Sequence, residues 1–487
     1  MDYKKAYFVG IKGTGMSALA ELLLKRGINV SGSDTSEIFY TDAVLKELGI
    51  PYFESFNACH ITEANPDIVI FSAAYSADTN PEMAEAQKLG IPLLKFPDAL
   101  GAYSGRFDST GIAGVHGKTT TTALTGTLLK GLGIPAQILA GSAVSSFGNR
   151  STLILGDRYF IAETCEYRRH FLSFHPKRII LTSVEKDHLD YFPTYVDIRD
   201  AFLEYTRLLP ENGELIYCCD DKGASEVAMA AKSEKPGLIL IPYGFKAKGD
   251  YKIKSFRAVN ERVVMKLQKF PCEFKIRIPG KHTALNAAAA IALCSLLVKK
   301  EYGGESENGW NEERLEKLKT AMEEFKGSKR RAEILGEAGG ILFMDDYGHH
   351  PTSIHATLEG IREFYPQRRL ILSFMSHTYT RTAMLLDEFA ASFEKADFIL
   401  LHKIYPSARE VYSGGVTGRT LFEKTLEKFP DKKNYIMYED DVEDGFEPMK
   451  GILKKGDLFI TMGAGDNWRL GKKLFDYYKD KPEKNQL

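Results

Sequence analysis

The sequence predicts an α/β protein of three domains: an N-terminal Rossmann-like domain, a central domain with a P-loop-type turn and a third α/β domain. Three observations predict it. Apolar runs of strand length alternate with helix-like segments, the pattern of parallel βαβ units. Two glycine loops, G-I-K-G-T-G and G-V-H-G-K-T, each fall between a strand-like run and a helix-like one. A third set of strands, beyond residue 327, carries dense polar clusters directly after apolar runs.

In order, Y-F-V-G-I predicts a strand, M-S-A-L-A-E-L-L-L-K-R-G a helix and I-N-V-S-G-S-D a second strand. D-I-V-I-F-S-A-A, the helical N-P-E-M-A-E-A-Q-K-L-G and the strand I-P-L-L-K complete the first set, with a boundary near Y-S-G-R-F-D. The second set holds S-T-G-I-A-G-V, Y-F-I-A-E and R-I-I-L-T-S-V-E. Y-K-I-K-S-F-R-A-V, R-V-V-M-K-L and C-E-F-K-I-R-I alternate as antiparallel strands do. The polar stretch E-Y-G-G-E-S-E-N-G-W-N-E-E-R predicts a loop or insertion. The third set carries I-L-F-M-D-D-Y, R-L-I-L-S-F, F-I-L-L and L-F-I-T-M-G-A-G. The expected domains are therefore 1–106, 107–326 and 327–487.

Composition bounds the function. The 487 residues carry 64 Lys plus Arg against 65 Asp plus Glu, a formal charge of -1, which excludes nucleic-acid binding through bulk positive charge. Six scattered cysteines without a C-x-x-C pair read as free thiols in a reducing cytoplasm. The N-terminus enters a strand directly, without a signal-peptide core. The longest apolar run, Ala287 to Val298, is too short to span a bilayer and predicts a buried helix. These features predict a cytoplasmic protein with no membrane insertion.

Gly13-x-Gly15-x-x-Ala18 fits the dinucleotide-binding fingerprint, and Asp34 stands about 20 residues on, where that fold places an acid for a ribose hydroxyl. Close backbone approach and unpaired helix N–H groups suit a diphosphate. An NAD-type cofactor and a UDP-sugar make the same demands. In the second loop, Lys118 would reach terminal phosphate oxygens and Thr119 would offer a hydroxyl to Mg²⁺. A standard P-loop carries a glycine where this chain has Ile112, and no Asn is followed by Lys, so the guanine motif N-K-x-D is absent.

Glu163 ends the run Y-F-I-A-E, where a carboxylate could hold Mg²⁺, with Glu166 three residues on. His188, in E-K-D-H-L-D, could bind a second metal or orient a phosphate. M-D-D-Y-G-H-H-P pairs Asp and His as zinc sites do, but without further soft ligands at metal spacing. In S-H-T-Y-T-R, Arg381 could clamp a carboxylate bidentately.

Taken in order, G-I-K-G-T-G-M-S, G-V-H-G-K-T-T-T-T, E-T-C-E-Y-R-R-H-F, D-H-L-D-Y-F, D-D-Y-G-H-H-P-T and H-T-Y-T-R-T resemble the motifs of the Mur ligases over almost the whole chain. G-x-x-G-K-T-T is that family's own phosphate loop. The resemblance implies an N-terminal Rossmann-like UDP-binding domain, a central P-loop-type ATPase domain and a C-terminal Rossmann-like domain that brings in the amino acid. Gly13, Thr14, Gly15, Met16 and Asp34 would hold the UDP-sugar, with Ser72 nearby. Gly114, His116, Gly117, Lys118, Thr119 and Thr120 would bind ATP phosphates, and His282 and Asn286 would lie at the adenine. Arg331 and Asp346 would reach ATP from the third domain, while Tyr347, His349, His377 and Arg381 would frame the amino acid and acyl group. Thr119 and Glu163 would hold one Mg²⁺ and His188 a second; Lys118, Glu163, His188 and Arg381 form the implied catalytic set.

The implied reaction joins L-alanine to the lactyl carboxylate of UDP-N-acetylmuramate through an acyl phosphate, with ATP converted to ADP and phosphate, by a monomer or homodimer. The chain departs from the family pattern at Val115, Thr283 and Thr378, where Thr, Asn and Arg are usual. Phe202 stands where later-acting members carry a carbamylated Lys, which leaves the alanine-adding branch and a relative that recycles a whole tripeptide. A silent UDP-sugar-binding regulator is motivated by Thr283 and Thr378. An NAD-dependent oxidoreductase would leave Lys118 and the D-D-Y-G-H-H-P cluster unexplained.

Overall fold

The computed structural model describes residues 3–304, 308–406, 412 and 414–480. The chain divides into two compact units. The first joins Met1–Glu185, Tyr195–Lys252 and Asn286–Met322; the second joins Lys186–Thr194, Ile253–Leu285 and Glu323–Leu487.

The first unit holds two sheets. One is wholly parallel, in the order Tyr52–Phe53, Asn29–Ser33, Lys5–Val9, Ile68–Phe71, Leu93–Lys95. Chain order runs outward from Lys5–Val9 in both directions, so the crevice for a ligand opens beyond the carboxyl ends of Lys5–Val9 and Ile68–Phe71. The helix Thr14–Lys25 buries Met16 to Leu23, because its apolar and small residues pack on this sheet. Three further helices, Tyr40–Glu47, Ala58–Ala64 and Phe96–Ser104, lie in segments whose sequence pattern carries no clear periodicity.

The second sheet runs Arg150–Ile154, Ala136–Val144, Tyr159–Glu163, Asp108–Ala113, Arg178–Leu181, Glu214–Cys218, Ile239–Gly244. All neighbours are parallel except Arg150–Ile154 against Ala136–Val144. Asp108–Ala113 sits between Tyr159–Glu163 and Arg178–Leu181, so everything that follows these three strands meets at one edge. The expected strand over 178–185 stops at Leu181, where Thr182 and Ser183 turn to support the neighbouring loop. The helix Lys118–Leu132 is rich in Thr, a modest helix former. Two of its buried hydroxyls find partners one turn back: Thr122 donates to the Lys118 carbonyl at 2.9 Å and Thr127 to that of Ala123 at 2.9 Å.

In the second unit, residues 253–258 of the strand Tyr251–Ala258 pair antiparallel with Val263–Leu267, which pairs antiparallel with Phe274–Ile276, as the alternating pattern requires. Its main sheet runs Glu333–Ala338, Ile341–Asp346, Leu458–Met462, Leu370–Phe374, Phe398–Leu401, Ile436–Tyr438, parallel after the first pair. Phe343, Ile371, Leu400, Phe459 and Leu474 centre its core.

Two expectations change. The polar stretch is not all loop: Lys281–Tyr302 is helical to Tyr302, and Asn311 caps a new helix, Glu312–Glu324, by accepting the Arg314 N–H at 2.8 Å. Residues 305–307 of that stretch lie outside the described residues. The apolar run 287–298 belongs to a 22-residue helix, long and apolar enough to cross a membrane by length and composition, yet 78% of its apolar window is buried inside the protein. It is a core helix, as its Ala-rich packing face requires.

Candidate active site

The first glycine loop lies where the first sheet's order reverses. Gly10 has φ 84°, and a Cβ there would stand 2.7 Å from the Tyr75 ring and 3.1 Å from Ser72 Cβ. The two strand ends therefore close on each other only because residue 10 lacks a side chain. The Ser72 N–H donates to the Val9 carbonyl at 3.1 Å, which sets Ser72 beside the strand end from which the glycine loop departs. Asp34, expected at a ribose, also fastens the loop: its carboxylate accepts the N–H of Lys12 at 2.7 Å and of Thr35 at 2.8 Å. Lys12, the loop's cation, is buried and committed to Asp42 at 2.9 Å and Glu54 at 3.0 Å. What Thr14, Gly15 and Met16 present is the first turn of a helix, whose N–H groups lack intrahelical partners.

The second loop joins Asp108–Ala113 to Lys118–Leu132. Ile112 lies within the strand and is fully buried, so the loop begins at Gly114. Gly117 caps the helix in the left-handed region, with φ 80° and ψ -9°. A Cβ on Gly117 would stand 2.5 Å from Asn286 Oδ1, which brings the Asn286 carboxamide against the phosphate loop itself. His116 pairs with Glu185. Lys118 Nζ is 2.9 and 3.1 Å from the two oxygens of Glu166. Burial opposes its charge, but Glu166, Cys165 and Glu163 hold Lys118 above the ordinary lysine value. Thr119 and Thr120 open the helix, and Thr119 is buried.

Glu163 ends its strand in register with Ile112, at the sheet edge from which the loop departs. Its Oε2 accepts the Gly141 N–H at 2.8 Å, and a Cβ on Gly141 would stand 2.4 Å from that oxygen. Gly141 thus fixes the carboxylate, and nothing in the local sequence announces it.

In the second unit, Asp187 gathers the predicted polar residues. Arg381 donates to Asp187 Oδ1 from Nη2 at 2.6 Å and from Nε at 3.2 Å, and from Nη1 to His377 Nδ1 at 3.0 Å. Burial would raise the Asp187 pKa, but the Arg381 guanidinium beside it holds it well below the usual carboxylate range. His349 and His377 lie edge to face, with ring centroids 5.7 Å apart. His349 Nδ1 bonds the Tyr347 carbonyl at 2.9 Å, while burial and Arg381 hold its pKa well below the ordinary histidine value. It is a neutral ring at neutral pH. His188 has φ 50°, a strained value for a residue other than glycine, and its carbonyl accepts the N–H groups of Tyr191 and Phe192. Asp187 was legible only as part of D-H-L-D; its partner Arg381 is 194 residues away.

Asp346 is a fastener in this structure. Its two oxygens accept the N–H groups of Ala332 and Gly348, each at 2.7 Å, and burial raises its pKa. Arg331 lies over the Tyr347 ring at 5.2 Å. His282 starts its helix against Gly280, and Thr283 returns its hydroxyl to the Pro279 carbonyl at 2.9 Å. The six cysteines are free thiols.

The chain is similar to known proteins along almost its whole length. The profile described as "Mur ligase family, catalytic domain" matches residues 5–108, "Mur ligase middle domain" residues 112–294, and "Mur ligase, glutamate ligase domain" residues 330–465. The UDP-N-acetylmuramate–L-alanine ligase of Treponema pallidum (strain Nichols) is 50% identical over 476 residues, 98% of this chain and 97% of that protein. The ligase of the same name from Borreliella burgdorferi is 37% identical, over 96% of this chain and 98% of that protein. The crystal structure of the UDP-N-acetylmuramate–alanine ligase from Thermotoga maritima superposes with a TM-score of 0.76 at 25% identity, covering 97% of this chain and 99% of that one. With three consecutive family profiles and end-to-end relatives, the chain belongs to the Mur ligase family.

Proposed function

We propose that this chain is an ATP-dependent ligase that joins L-alanine to the lactyl carboxylate of UDP-N-acetylmuramate, releasing ADP and phosphate, in the cytoplasmic synthesis of peptidoglycan precursors. The observation that carries this reading is end-to-end identity of 50% to a relative named for that reaction. Residues 1–106, 107–326 and 327–487 would carry the UDP-sugar, ATP and the amino acid, in a monomer or homodimer.

The lactyl carboxylate attacks the γ-phosphorus of ATP, forming an acyl phosphate; the amine of L-alanine then attacks that carbonyl and phosphate leaves. Gly13 to Met16, Asp34 and Ser72 orient the UDP-sugar. Gly114 to Thr120, with Asn286, His282, Arg331 and Asp346, take ATP, and Lys118 meets the transferring phosphoryl group. The hydroxyl of Thr119 and the carboxylate of Glu163 are hard oxygen donors of the kind Mg²⁺ takes, with His188 at a second ion. Bound there, Mg²⁺ would offset phosphoryl charge, the main demand of such reactions. Tyr347, His349, His377 and Arg381 frame the amino acid.

The test is ADP release. It should require UDP-N-acetylmuramate, L-alanine and Mg²⁺ together, with glycine, L-serine and the tripeptide as comparison amines. Turnover with the tripeptide alone would assign the recycling reaction, and no turnover with any amine would sink the ligase reading.

A further inference from the structure

The phosphate loop is shaped from behind by the two residues that follow the adjacent strand Arg178–Leu181. Thr182 Oγ1 lies 2.5 Å from the His116 carbonyl and 3.1 Å from that of Ala113. Ser183 takes two of the loop's own donors: the Val115 N–H on its carbonyl at 3.0 Å and the His116 N–H on its hydroxyl at 2.9 Å. Gly114, at φ 137°, closes on the same pair. A Cβ there would stand 2.0 Å from Thr182 Oγ1 and 2.8 Å from the Ser183 nitrogen.

The consequence is one of direction. A trans peptide holds its C=O and N–H on opposite sides, and the chain has no cis peptide among the described residues. With the His116 carbonyl drawn onto Thr182, the N–H of Gly117 is turned the other way. Gly117 itself is left-handed and leads directly into the right-handed helix. Such an alternation makes successive N–H groups converge into a concave anion-binding nest. Val115 and His116 have surrendered their donors to Ser183, so the cradle is confined to the run from Gly117 into the first helical turn.

We infer that Thr182 is a positioning residue for the ATP phosphates: its hydroxyl fixes the His116–Gly117 peptide so that the Gly117 N–H joins the first-turn N–H groups in one phosphate cradle. This rests on the reading of the loop as the ATP site. It also explains how the loop works with Ile112 in the place of a glycine. A longer P-loop shapes its cradle with its own glycine-rich arc; here the arc is shorter, and the neighbouring strand end supplies the shape.

The experiment compares wild type, Thr182→Val and Thr182→Ser by calorimetric titration with Mg·ATP and by KM for each of the three substrates. Valine keeps nearly the volume and loses the hydroxyl; serine keeps the hydroxyl. Thr182→Val should weaken ATP about ten-fold, the effect of one buried hydrogen bond, with KM for UDP-N-acetylmuramate and L-alanine within about two-fold. Thr182→Ser should restore ATP affinity to within about three-fold of wild type. Thr182→Ala replaces the valine variant if that one does not fold. Wild type that binds no ATP would overturn the ATP site and this role together. Wild type that binds ATP, beside a valine variant that binds it equally well, would overturn the role of Thr182 alone. So would an equal loss for all three substrates, or a serine variant no better than valine.

Discussion

Lys118, partly buried, pairs with the buried Glu166 at the mouth of the phosphate loop, with the ammonium 2.9 Å from the nearer carboxylate oxygen and 2.5 Å from the Gly114 carbonyl. The lysine that would meet the phosphoryl group is thus pre-positioned and kept charged by an acid three residues beyond Glu163. An incoming triphosphate would compete with Glu166 for the same ammonium.

Lys118→Ala should lower ADP formation at least a hundred-fold, the scale for losing one charge-stabilising donor, while leaving UDP-sugar affinity nearly unchanged. It should also lower stability by roughly 3 kcal/mol, because Glu166 is left buried without its partner. Lys118→Ala combined with Glu166→Gln should recover most of that stability and none of the turnover. Denaturant unfolding and a coupled ADP assay separate the two effects; unchanged turnover in Lys118→Ala would remove the loop from the mechanism.

Arg381 and Asp187 make the corresponding pair in the second unit, and both side chains are buried. Arg381→Lys keeps the charge but loses the fork that serves Asp187 and His377 at once. It should raise KM for L-alanine by about ten-fold or more, the cost of a lost charged hydrogen bond, with KM for ATP within about two-fold. Equal effects on both substrates would assign Arg381 a purely structural role.

These pairs also mark how far the sequence could be read. The glycine loops were legible because strand, glycine and helix are consecutive, and Glu163 because a strand end is a local feature. The partners were not. Thr182 and His116 are 66 residues apart, and Asp187 and Arg381 are 194 apart. No local pattern announces Gly141 behind Glu163. The short helices Tyr40–Glu47 and Ala58–Ala64 and the two-residue strand Tyr52–Phe53 escaped for the same reason: their form is set by packing on a sheet more than by their own periodicity.

Thr378, the departure from the family's usual Arg, adopts φ 67° and ψ 140°, a conformation few residues other than glycine take. Its N–H donates to the Tyr405 carbonyl at 2.9 Å and its own carbonyl accepts the Thr382 hydroxyl at 2.7 Å, so the backbone is held there from both sides. Thr378→Gly should stabilise the protein by about 1 kcal/mol, strain relief outweighing the added freedom of the unfolded chain. A lower denaturation midpoint would show that the threonine side chain contributes more than the strain costs.

His402 gives the protein an acid sensitivity away from the candidate site. Its ring is buried between Ser373 Oγ, 2.9 Å from Nε2, and the Glu439 carbonyl, 3.1 Å from Nδ1. Burial pushes its pKa down to about 4. The folded state therefore stays unprotonated between about pH 6.5 and 4 while the unfolded chain takes up a proton. Where the unfolded state binds more protons, stability falls as pH falls. This histidine alone should remove about 2 kcal/mol between about pH 7 and pH 5. His402→Gln, which keeps an amide donor and acceptor but cannot titrate, should lose stability at neutral pH and show a correspondingly shallower decline toward acid. Urea midpoints of the two proteins at about pH 5, 6 and 7 measure the difference in slope; parallel lines would mean that His402 is protonated in the folded protein as readily as in the unfolded chain.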